Sequence, residues 1–307
     1  MGKILALTGV TGKKTGRILI EHIAKNIDSI NSMFPGGIKA LVRETSNIKH
    51  LKDTLPSVEI CTGNLKDINF LQKTFQNVDT IIHIAGIRNS VPIVDVAATC
   101  NVRRLILVHT TGVYSKYKAA GEEYRHIDEH VYDVCKKNNI KLTICRPTMI
   151  YGNIYDKNVA IFVKMVDKFP IMPVVNQAKY ELQPVHYKDL AKAYFDILMN
   201  EEATSNRDYN LSGGAPIMLR DMFTIIGKNI GKDVKFISCP FPIAYAGAWI
   251  IYCLTLGKVD YREKVQRLCE PRTFTHEEAT KDFGYNPRLF EDGIVDEVKE
   301  YIGMKTK

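Results

Sequence analysis

The sequence predicts an α/β fold, with a doubly wound parallel sheet in the N-terminal half and a smaller C-terminal lobe. Short runs rich in Ile, Val and Leu alternate with helical patterns through the first half of the chain. Most of these runs lack the polar alternation of a half-exposed strand, which is typical of strands buried on both faces of a parallel sheet. Parallel strands joined by helices favour right-handed crossovers and a doubly wound topology. After Arg146-Pro147 the rhythm changes and helical patterns dominate.

The predicted elements follow in chain order. The first half holds strands at 3–8, 38–42, 58–62, 80–84, 105–109 and 142–145, with helices at 15–26, 67–75, 91–100 and 119–137. The second half holds helices at 159–169, 188–199, 219–230, 244–256 and 292–301, with short strands at 182–185, 209–211 and 234–237. We therefore place one domain at 1–153 and a second lobe at 154–307, some of whose segments return to the sheet.

Composition excludes several classes of protein. The 307 residues are 45% hydrophobic and 25% charged, which is ordinary for a globular chain with a full core. The formal net charge is +8, but the basic residues are scattered among acids, so we expect a mild preference for anionic small molecules and no nucleic-acid partner. Seven cysteines with irregular spacing and no CxxC argue against a disulfide framework and suit a reducing cytoplasm.

The apolar stretches are short. The run at 4–7 is too brief for a signal peptide. The longest stretch, 241–256, falls short of the roughly 20 residues that span a bilayer, so no stable membrane span is expected. We interpret it as a buried or interface helix, with interfacial membrane contact as the alternative. It suits either the face of a homodimer or the wall of a pocket.

A glycine-rich turn follows the first predicted strand, where Gly9, Gly12 and Gly16 lead into the first helix. Glycines there permit a tight turn and let backbone N–H groups approach a pyrophosphate, while the helix N-terminus adds partial positive charge. A position after the first strand and before the first helix makes the motif specific. The sequence therefore predicts a dinucleotide site formed by Gly9, Thr11, Gly12, Lys13 and Gly16.

These features resemble the extended and atypical short-chain dehydrogenases/reductases, especially the NmrA-like and epimerase-like members, which are built on a Rossmann sheet. Their turn usually reads TGxxGxxG, whereas here Thr15 stands where the third glycine would fall and Gly16 follows it. One added residue, Lys13 or Lys14, accounts for this departure. The resemblance makes 1–153 an NAD(P)-binding domain and 154–307 a substrate lobe.

Further segments resemble the family's pattern in the same order. They are 40–43, 63–67, 83–86, 101–114, 146–152, 183–191 and 210–214. The resemblance implies that the adenine lies beside Asn64 and Leu65, and that the cofactor ribose passes Ala85 and Gly86. It implies that Thr110, Pro147 and Met149 lie near the nicotinamide; those three positions complete the predicted cofactor site.

The end of the second strand bears on the choice of cofactor. NAD enzymes resembling this family usually place an acid there to hold the ribose 2′-hydroxyl, whereas this chain has Arg43. A guanidinium offers a bidentate fork for a 2′-phosphate. Glu44 follows and could still serve a ribose. We expect NADP(H), with NAD(H) as the second choice.

The family's chemistry uses a Tyr-x-x-x-Lys pair on the helix after strand five, because that spacing places both side chains on one helix face. Tyr124 has the right position in the chain, but its i+4 partner is Asp128. A carboxylate would raise the pKa of a neighbouring phenol. If chemistry occurs, the sequence favours Thr111 and Tyr124, with Lys118 supplying charge.

Two other pairs have the spacing but not the position. Tyr114 and Lys118 fall in the loop after strand five, and Tyr132 and Lys136 fall near a helix end, where lysines act as terminal charges. The standard pair is therefore expected to be absent, which leaves an atypical active site. The segment 126–130 matches H-x-x-E-H, but no third ligand is evident and no metal is expected.

Two functions stay open on this basis. The first is an NAD(P)-dependent oxidoreductase, epimerase or dehydratase acting on a small anionic substrate, with nucleotide sugars among the candidates. The second is a non-catalytic NADP(H)-binding sensor or assembly protein that lacks the Tyr-x-x-x-Lys pair. Position 128 separates them, because the lysine that the family's chemistry needs is an aspartate here.

Overall fold

The computed structural model describes residues 2–305, and its central sheet confirms the predicted α/β class. The first half of the chain has regular alternation. Its elements are β1 (Ile4–Thr8), α1 (Thr15–Lys25), α2 (Ile27–Met33), β2 (Ile38–Val42), α3 (Lys49–Thr54), β3 (Glu59–Thr62), α4 (Ile68–Thr74), β4 (Val78–His83), α5 (Ser90–Thr99), β5 (Arg104–Val108), α6 (Gly121–Lys137) and β6 (Lys141–Pro147).

The second half is richer in helices. Its elements are β7 (Ile150–Tyr151), α7 (Val159–Lys168), β8 (Ile171–Val175), β9 (Glu181–Leu182), β10 (Val185–His186), α8 (Tyr187–Met199), α9 (Glu201–Thr204), β11 (Arg207–Leu211), β12 (Ile217–Met218), α10 (Leu219–Ile230), β13 (Lys235–Cys239), α11 (Phe241–Leu254), α12 (Arg262–Leu268), α13 (Glu277–Phe283) and α14 (Phe290–Lys305). Short 3₁₀ turns occur at Ile87–Asn89, Thr111–Tyr114 and Asn176–Ala178.

The main sheet has seven parallel strands in the order β11-β6-β5-β4-β1-β2-β3. The chain moves outward from β1 through β2 to β3, then returns to β4 on the other side of β1. This reversal creates a crevice at the carboxyl ends of β1 and β4, where open α/β sheets bind ligands. Thr8 and His83 are paired in register at that point.

Both faces of the sheet are buried, which explains the missing polar alternation. Leu5 and Leu7 belong to one apolar cluster with residues of α1 and α8, and Ala6 belongs to another with residues of α5 and α6. All three are fully buried. Because successive strand residues face opposite sides, each side of β1 has to be apolar.

A third apolar cluster lies in the C-terminal part of the chain. It joins α7, α10 and α14, with Tyr151 and Phe290 in contact at 5.2 Å between ring centroids. From the same half, α8 packs against α1 and β11 forms the edge of the main sheet. The division into 1–153 and 154–307 stays a prediction.

Eight elements of the described chain were not predicted: α2, α3, β7, β8, α9, β12, α12 and α13. The strand predicted at 182–185 is wrong as one element, because Pro184 separates β9 from β10. Proline lacks the N–H that a continuous ladder needs. Over residues 2–305, every helix is too short or too polar to cross a bilayer.

Candidate functional site

The turn after β1 is pressed against the turn after β4. Gly9 has φ +78°, and a Cβ at this position would lie 2.9 Å from backbone atoms of Ile84 and Ala85. A side chain would therefore be strained in conformation and blocked by backbone. The N–H of Gly12 donates to the Gly9 carbonyl over 3.3 Å, which closes the turn.

Gly16 occupies the structural position of the third glycine in the family's TGxxGxxG turn, although one residue is added before it. A Cβ at Gly16 would lie 2.5 Å from the Gly9 carbonyl oxygen and 2.8 Å from the Cα of Val10. Only glycine lets α1 begin this close to the turn. Gly16 thus supports the turn from behind.

The two lysines of the turn have different surroundings. The Nζ of Lys13 lies 4.2 Å from the ring centroid of Tyr155, at the cleft. Burial lowers the pKa of Lys14, although the charges of Asp156 and Glu297 act to raise it. Lys14 therefore lies within the electrostatic influence of two carboxyl groups from the C-terminal half of the chain.

One member of that carboxyl pair, Glu297, is held in a setting that favours its neutral form. Glu297 is fully buried and accepts a hydrogen bond from the N–H of Gly152 over 2.9 Å. Burial and the nearby charge of Asp156 raise the pKa of Glu297 to about 9. Asp156 in turn accepts hydrogen bonds from the backbone at the start of α7, including the N–H of Ala160 at 3.2 Å. The neutral form of Glu297 is the one that the fold accommodates.

A buried histidine joins the ends of β1 and β4. The Nε2 of His83 faces the Gly86 carbonyl at 3.0 Å, and its Nδ1 lies 2.6 Å from the Thr8 hydroxyl. A carbonyl only accepts, so Nε2 carries the proton and Nδ1 accepts from Thr8. Burial lowers the pKa of His83 to about 4, in keeping with a neutral ring. This chain of bonds fixes the loop at Gly86.

A large cleft of about 1590 Å³ opens along these turns. Nine of the thirteen predicted cofactor residues line it: Gly9, Thr11, Gly12, Lys13, Arg43, Asn64, Leu65, Ala85 and Gly86. Asn64 is held by its own turn, since its side-chain oxygen accepts the N–H of Lys66 over 3.0 Å. The cleft has the shape and backbone donors to hold a dinucleotide.

The end of the cleft beyond β2 is basic. Arg43 is exposed there, and Arg17 and Lys49 line the same region with one acid, Asp53. Within residues 2–305, Glu44 does not line the cleft. The arrangement offers several cations to an anionic group at this end.

A second cavity of about 330 Å³ adjoins the cleft, and Gly86 lines both. It brings together all three predicted catalytic residues, Thr111, Lys118 and Tyr124, with the predicted cofactor residues Thr110 and Met149. Pro147 lines neither space in the described chain; it is buried, and its carbonyl accepts the Thr111 hydroxyl over 3.2 Å.

The second cavity carries more positive than negative charge. Lys118, Arg267 and Arg272 line it. Burial lowers the pKa of Lys118, and burial together with Arg267 lowers the pKa of Arg272 to about 10. The carboxylate of Glu270 is bound by the Ser115 hydroxyl at 2.6 Å and by a backbone N–H. Three cations and one occupied carboxylate favour an anionic ligand.

Asp128 is tied into a buried network behind the cavity wall. Its Oδ1 accepts from the Nδ1 of His109 over 2.5 Å, and its Oδ2 accepts from Arg146 over 2.7 Å. The Ser90 hydroxyl lies 3.0 Å from the other nitrogen of His109, and Asp208 lies 2.9 Å from Arg146. Burial acts to lower the pKa of Arg146, but the charges of Asp208 and Asp128 outweigh burial and raise that pKa. The position where the family's lysine falls is thus a structural ion pair.

The other tyrosine pairs differ in location. Tyr114 is half exposed and lines the second cavity beside Phe274, at 5.6 Å between ring centroids. Tyr132 lies outside the described lining of both spaces and hydrogen-bonds to Asp208. Burial and that bond raise the pKa of Tyr132. The pair of Tyr132 and Lys136 is therefore not part of the site.

The H-x-x-E-H segment lies on the outer face of α6. His130 pairs with Asp95 at 2.7 Å, while His126 is exposed and lies 3.4 Å from Glu129. In the part of the chain that the structure describes, no group of three His, Cys, Asp or Glu side chains has metal-binding geometry.

Sequence reasoning missed five residues that shape the site: His83, His109, Arg267, Arg272 and Glu297. A signal existed for His83 and His109, because a histidine at the carboxyl end of a buried strand needs a partner. The two arginines lie in a segment with no recognisable motif. Only the folded chain brings them to Lys118.

Comparison with known proteins agrees with this geometry. Residues 1–251 match the model of the NmrA-like family. A segment of 106 residues, 34% of this chain, is 26% identical to the mitochondrial NADH dehydrogenase [ubiquinone] 1 alpha subcomplex subunit 9 of Arabidopsis thaliana. The match spans only 26% of that relative's length.

Two solved structures show the shared fold. The dTDP-glucose 4,6-dehydratase of Streptomyces venezuelae, determined with NAD bound, has a TM-score of 0.72 at 16% identity, covering 99% of this chain and 98% of that one. The triphenylmethane reductase of Citrobacter sp., complexed with NADP(H), has a TM-score of 0.68 at 19% identity, covering 96% and 99%. The chain belongs to the NmrA-like family.

Proposed function

We propose that this chain binds NADP(H) in the large cleft and acts as an oxidoreductase, epimerase or dehydratase on a small anionic substrate in the second cavity. The observation that carries the proposal is the junction at Gly86, which lines both spaces, so a cofactor in the cleft would lie beside a cationic cavity. A similar protein of the same fold, the triphenylmethane reductase, was determined with NADP(H). The basic end of the cleft at Arg43 supports NADP(H) over NAD(H).

The residues that would hold the cofactor are those of the cleft. The glycine turn would lie against the pyrophosphate, with the N-terminus of α1 adding partial positive charge. Arg43 would bind the 2′-phosphate, and Ala85 would border the ribose. A nicotinamide, when bound, supplies or accepts a hydride.

The chain's own part in the chemistry would be proton transfer and orientation. The Tyr124 hydroxyl would exchange a proton with a substrate oxygen, and the Thr111 hydroxyl would orient that oxygen. The Nζ of Lys118 lies 6.0 Å from the Tyr124 ring centroid, so its charge would lie beside the reacting oxygen. Arg267 and Arg272 would bind the anionic part of the substrate. Nucleotide sugars fit this requirement, since they join a diphosphate to a sugar.

Titration calorimetry with NADPH and NADH tests the cofactor assignment. Wild-type protein should bind NADPH more tightly, and Arg43→Gln should weaken NADPH binding by about tenfold or more while leaving NADH binding within a few-fold. Arg207→Gln is the charge-matched control, because Arg207 lies on β11 at the far edge of the sheet. Equal loss of both cofactors in Arg43→Gln would remove the argument for NADP(H).

A substrate screen under the bound cofactor then tests catalysis. Nucleotide sugars and carbonyl compounds should give turnover with the wild-type protein. Arg272→Met should mainly raise KM, and Tyr124→Phe should mainly lower kcat. Turnover that is unchanged in both variants would place the chemistry elsewhere.

A second candidate function is an NADP(H)-binding sensor or assembly protein without turnover. The ion pair of Asp128 with Arg146 favours it, because the lysine position is committed to structure. Cofactor binding with no turnover in the screen would support it. Wherever it acts, we propose a reducing compartment, the cytoplasm, because all seven cysteines are free.

A further inference from the structure

Helix α11 is apolar on every side and yet lies at the surface. Among its residues only Ala248 is buried. Ile243 is 63% exposed, Ile250 59% and Leu254 79%, and Leu256 just beyond the helix is 88% exposed. A soluble helix normally exposes a polar face. Here no charged residue occurs from 236 to 257.

The exposed side chains of α11 form one broad face. At about 100° per residue, the positions from Trp249 through Ile250 to Ile251 cover an arc of roughly 200°. Ile243 and Leu254 fall within this arc. A lipid phase covers so broad an apolar face without needing a surface of complementary shape.

The helix belongs to a hairpin outside the apolar core. It packs mainly against α12, which itself buries no residue. Within residues 2–305, no residue of α11 takes part in the three apolar clusters of the fold. Arg262 of α12 instead stacks on Trp249 and Tyr252, at 4.4 Å and 3.8 Å from the ring centroids. The apolar surface of α11 is therefore not needed to complete the core.

Cations and aromatic rings gather at the carboxyl end of α11. Lys258 and Lys264 are exposed, and the Nζ of Lys264 lies 5.0 Å from the ring of Tyr261. The nearby acids have partners of their own, Asp260 with Arg262 and Glu263 with Arg267, so the two lysines leave this end with a net positive charge. Aromatic rings beside exposed lysines are the composition of helices that bind anionic membrane surfaces. The net charge of +8 acts in the same direction.

Helix α11 is too short to cross a bilayer. Fourteen residues extend over about 21 Å, which is less than the hydrocarbon thickness of about 30 Å. We propose that α11 inserts its exposed side chains into the headgroup region of an anionic phospholipid bilayer, in one leaflet, with Lys258 and Lys264 at the phosphates. Because α12 also carries Arg267 to the second cavity, docking would hold that cavity beside the membrane surface.

The chain carries its own probe for this proposal. Trp249 is the single tryptophan, and it lies on the exposed arc. Vesicles of phosphatidylcholine with phosphatidylglycerol should shift its emission to the blue and shield it from acrylamide. Vesicles of phosphatidylcholine alone, or high salt, should have a weaker effect, because exposed charges are screened.

Matched variants separate docking from other outcomes. The double change Ile250→Glu with Leu254→Glu should lower vesicle partitioning by at least about tenfold. Ile68→Glu, at an exposed apolar residue of α4 with 44% exposure, should partition like wild type. Equal partitioning of all three proteins, or no binding by wild type, would overturn the proposal. A wild-type dimer that the double change dissociates, without any vesicle effect, would assign this face to a second copy instead.

Discussion

Replacing Asp128 by asparagine tests whether the lysine position of the family has become structural here. The side chain of Asp128 is 9% exposed and that of Arg146 is 4% exposed. Asparagine keeps the shape but removes the charge that faces Arg146. Removing one partner of a buried ion pair costs about 3–5 kcal/mol. Because Arg146 keeps Asp208 at 2.9 Å, we expect the lower end, about 3 kcal/mol.

Urea unfolding followed by circular dichroism measures this cost, with the slope of the transition checked between variants. Asp133→Asn is the matched control on the exposed face of the same helix, and it should change the unfolding free energy by less than about 0.5 kcal/mol. Asp128→Lys should fail to give folded protein, because it sets an ammonium against Arg146. If Asp128→Asn costs under about 1 kcal/mol, or if Asp128→Lys folds and gains turnover, the structural role assigned to this carboxylate is wrong.

Three further predictions concern pH and backbone. The pKa of His83 and that of His186 are both lowered to about 4 by burial, so each contributes stability that is present above pH 6.5 and is lost as the pH falls, by up to about 3 kcal/mol each. The urea concentration at the midpoint of unfolding should fall as the pH approaches 4, and it should fall less steeply in His83→Gln than in the wild-type protein. The pH dependence due to Glu297 runs the other way: its pKa is raised from 4.5 to about 9, so its contribution to stability is lost as the pH rises. Glu297→Gln should therefore make the urea midpoint depend less on pH on the alkaline side. Gly9→Ala should destabilise more than Gly37→Ala, because both have positive φ but only Gly9 has backbone within 3 Å of the added Cβ; equal costs would show that conformation alone matters.

The sheet was predictable because its rules are local. Leu5, Ala6 and Leu7 need no partner in sequence to indicate a strand buried on both faces. The glycine turn was also predictable, since its position between strand and helix carries the signal. The added residue leaves the turn recognisable, because Gly16 still lies where a Cβ would clash with the Gly9 carbonyl oxygen.

The walls of the second cavity were not predictable, for a physical reason. Lys118 follows β5, whereas Arg267 and Arg272 come from α12 and the segment after it. No periodicity relates these positions, and their meeting depends on how the C-terminal lobe closes over the sheet. The exposure of α11 was hidden for the same reason: a run of apolar residues is consistent with burial until the fold shows that little covers it.

The two spaces of the site depend on one hydrogen-bonded junction. His83 donates to the Gly86 carbonyl and accepts from Thr8, so a neutral ring holds the loop that both spaces share. Protonation would turn Nδ1 into a donor, so the Thr8 hydroxyl would have to rotate and accept, and the fully buried ring would carry a charge with no acid among residues 2–305 to balance it. A ligand that needs the loop in place binds the neutral form better, and linkage then requires that this ligand lower the pKa of His83 further. If the proposed cofactor binds at this loop, its binding and the acid stability of the fold would be coupled through the same imidazole, and its affinity should decline over the pH range in which the fold loses stability.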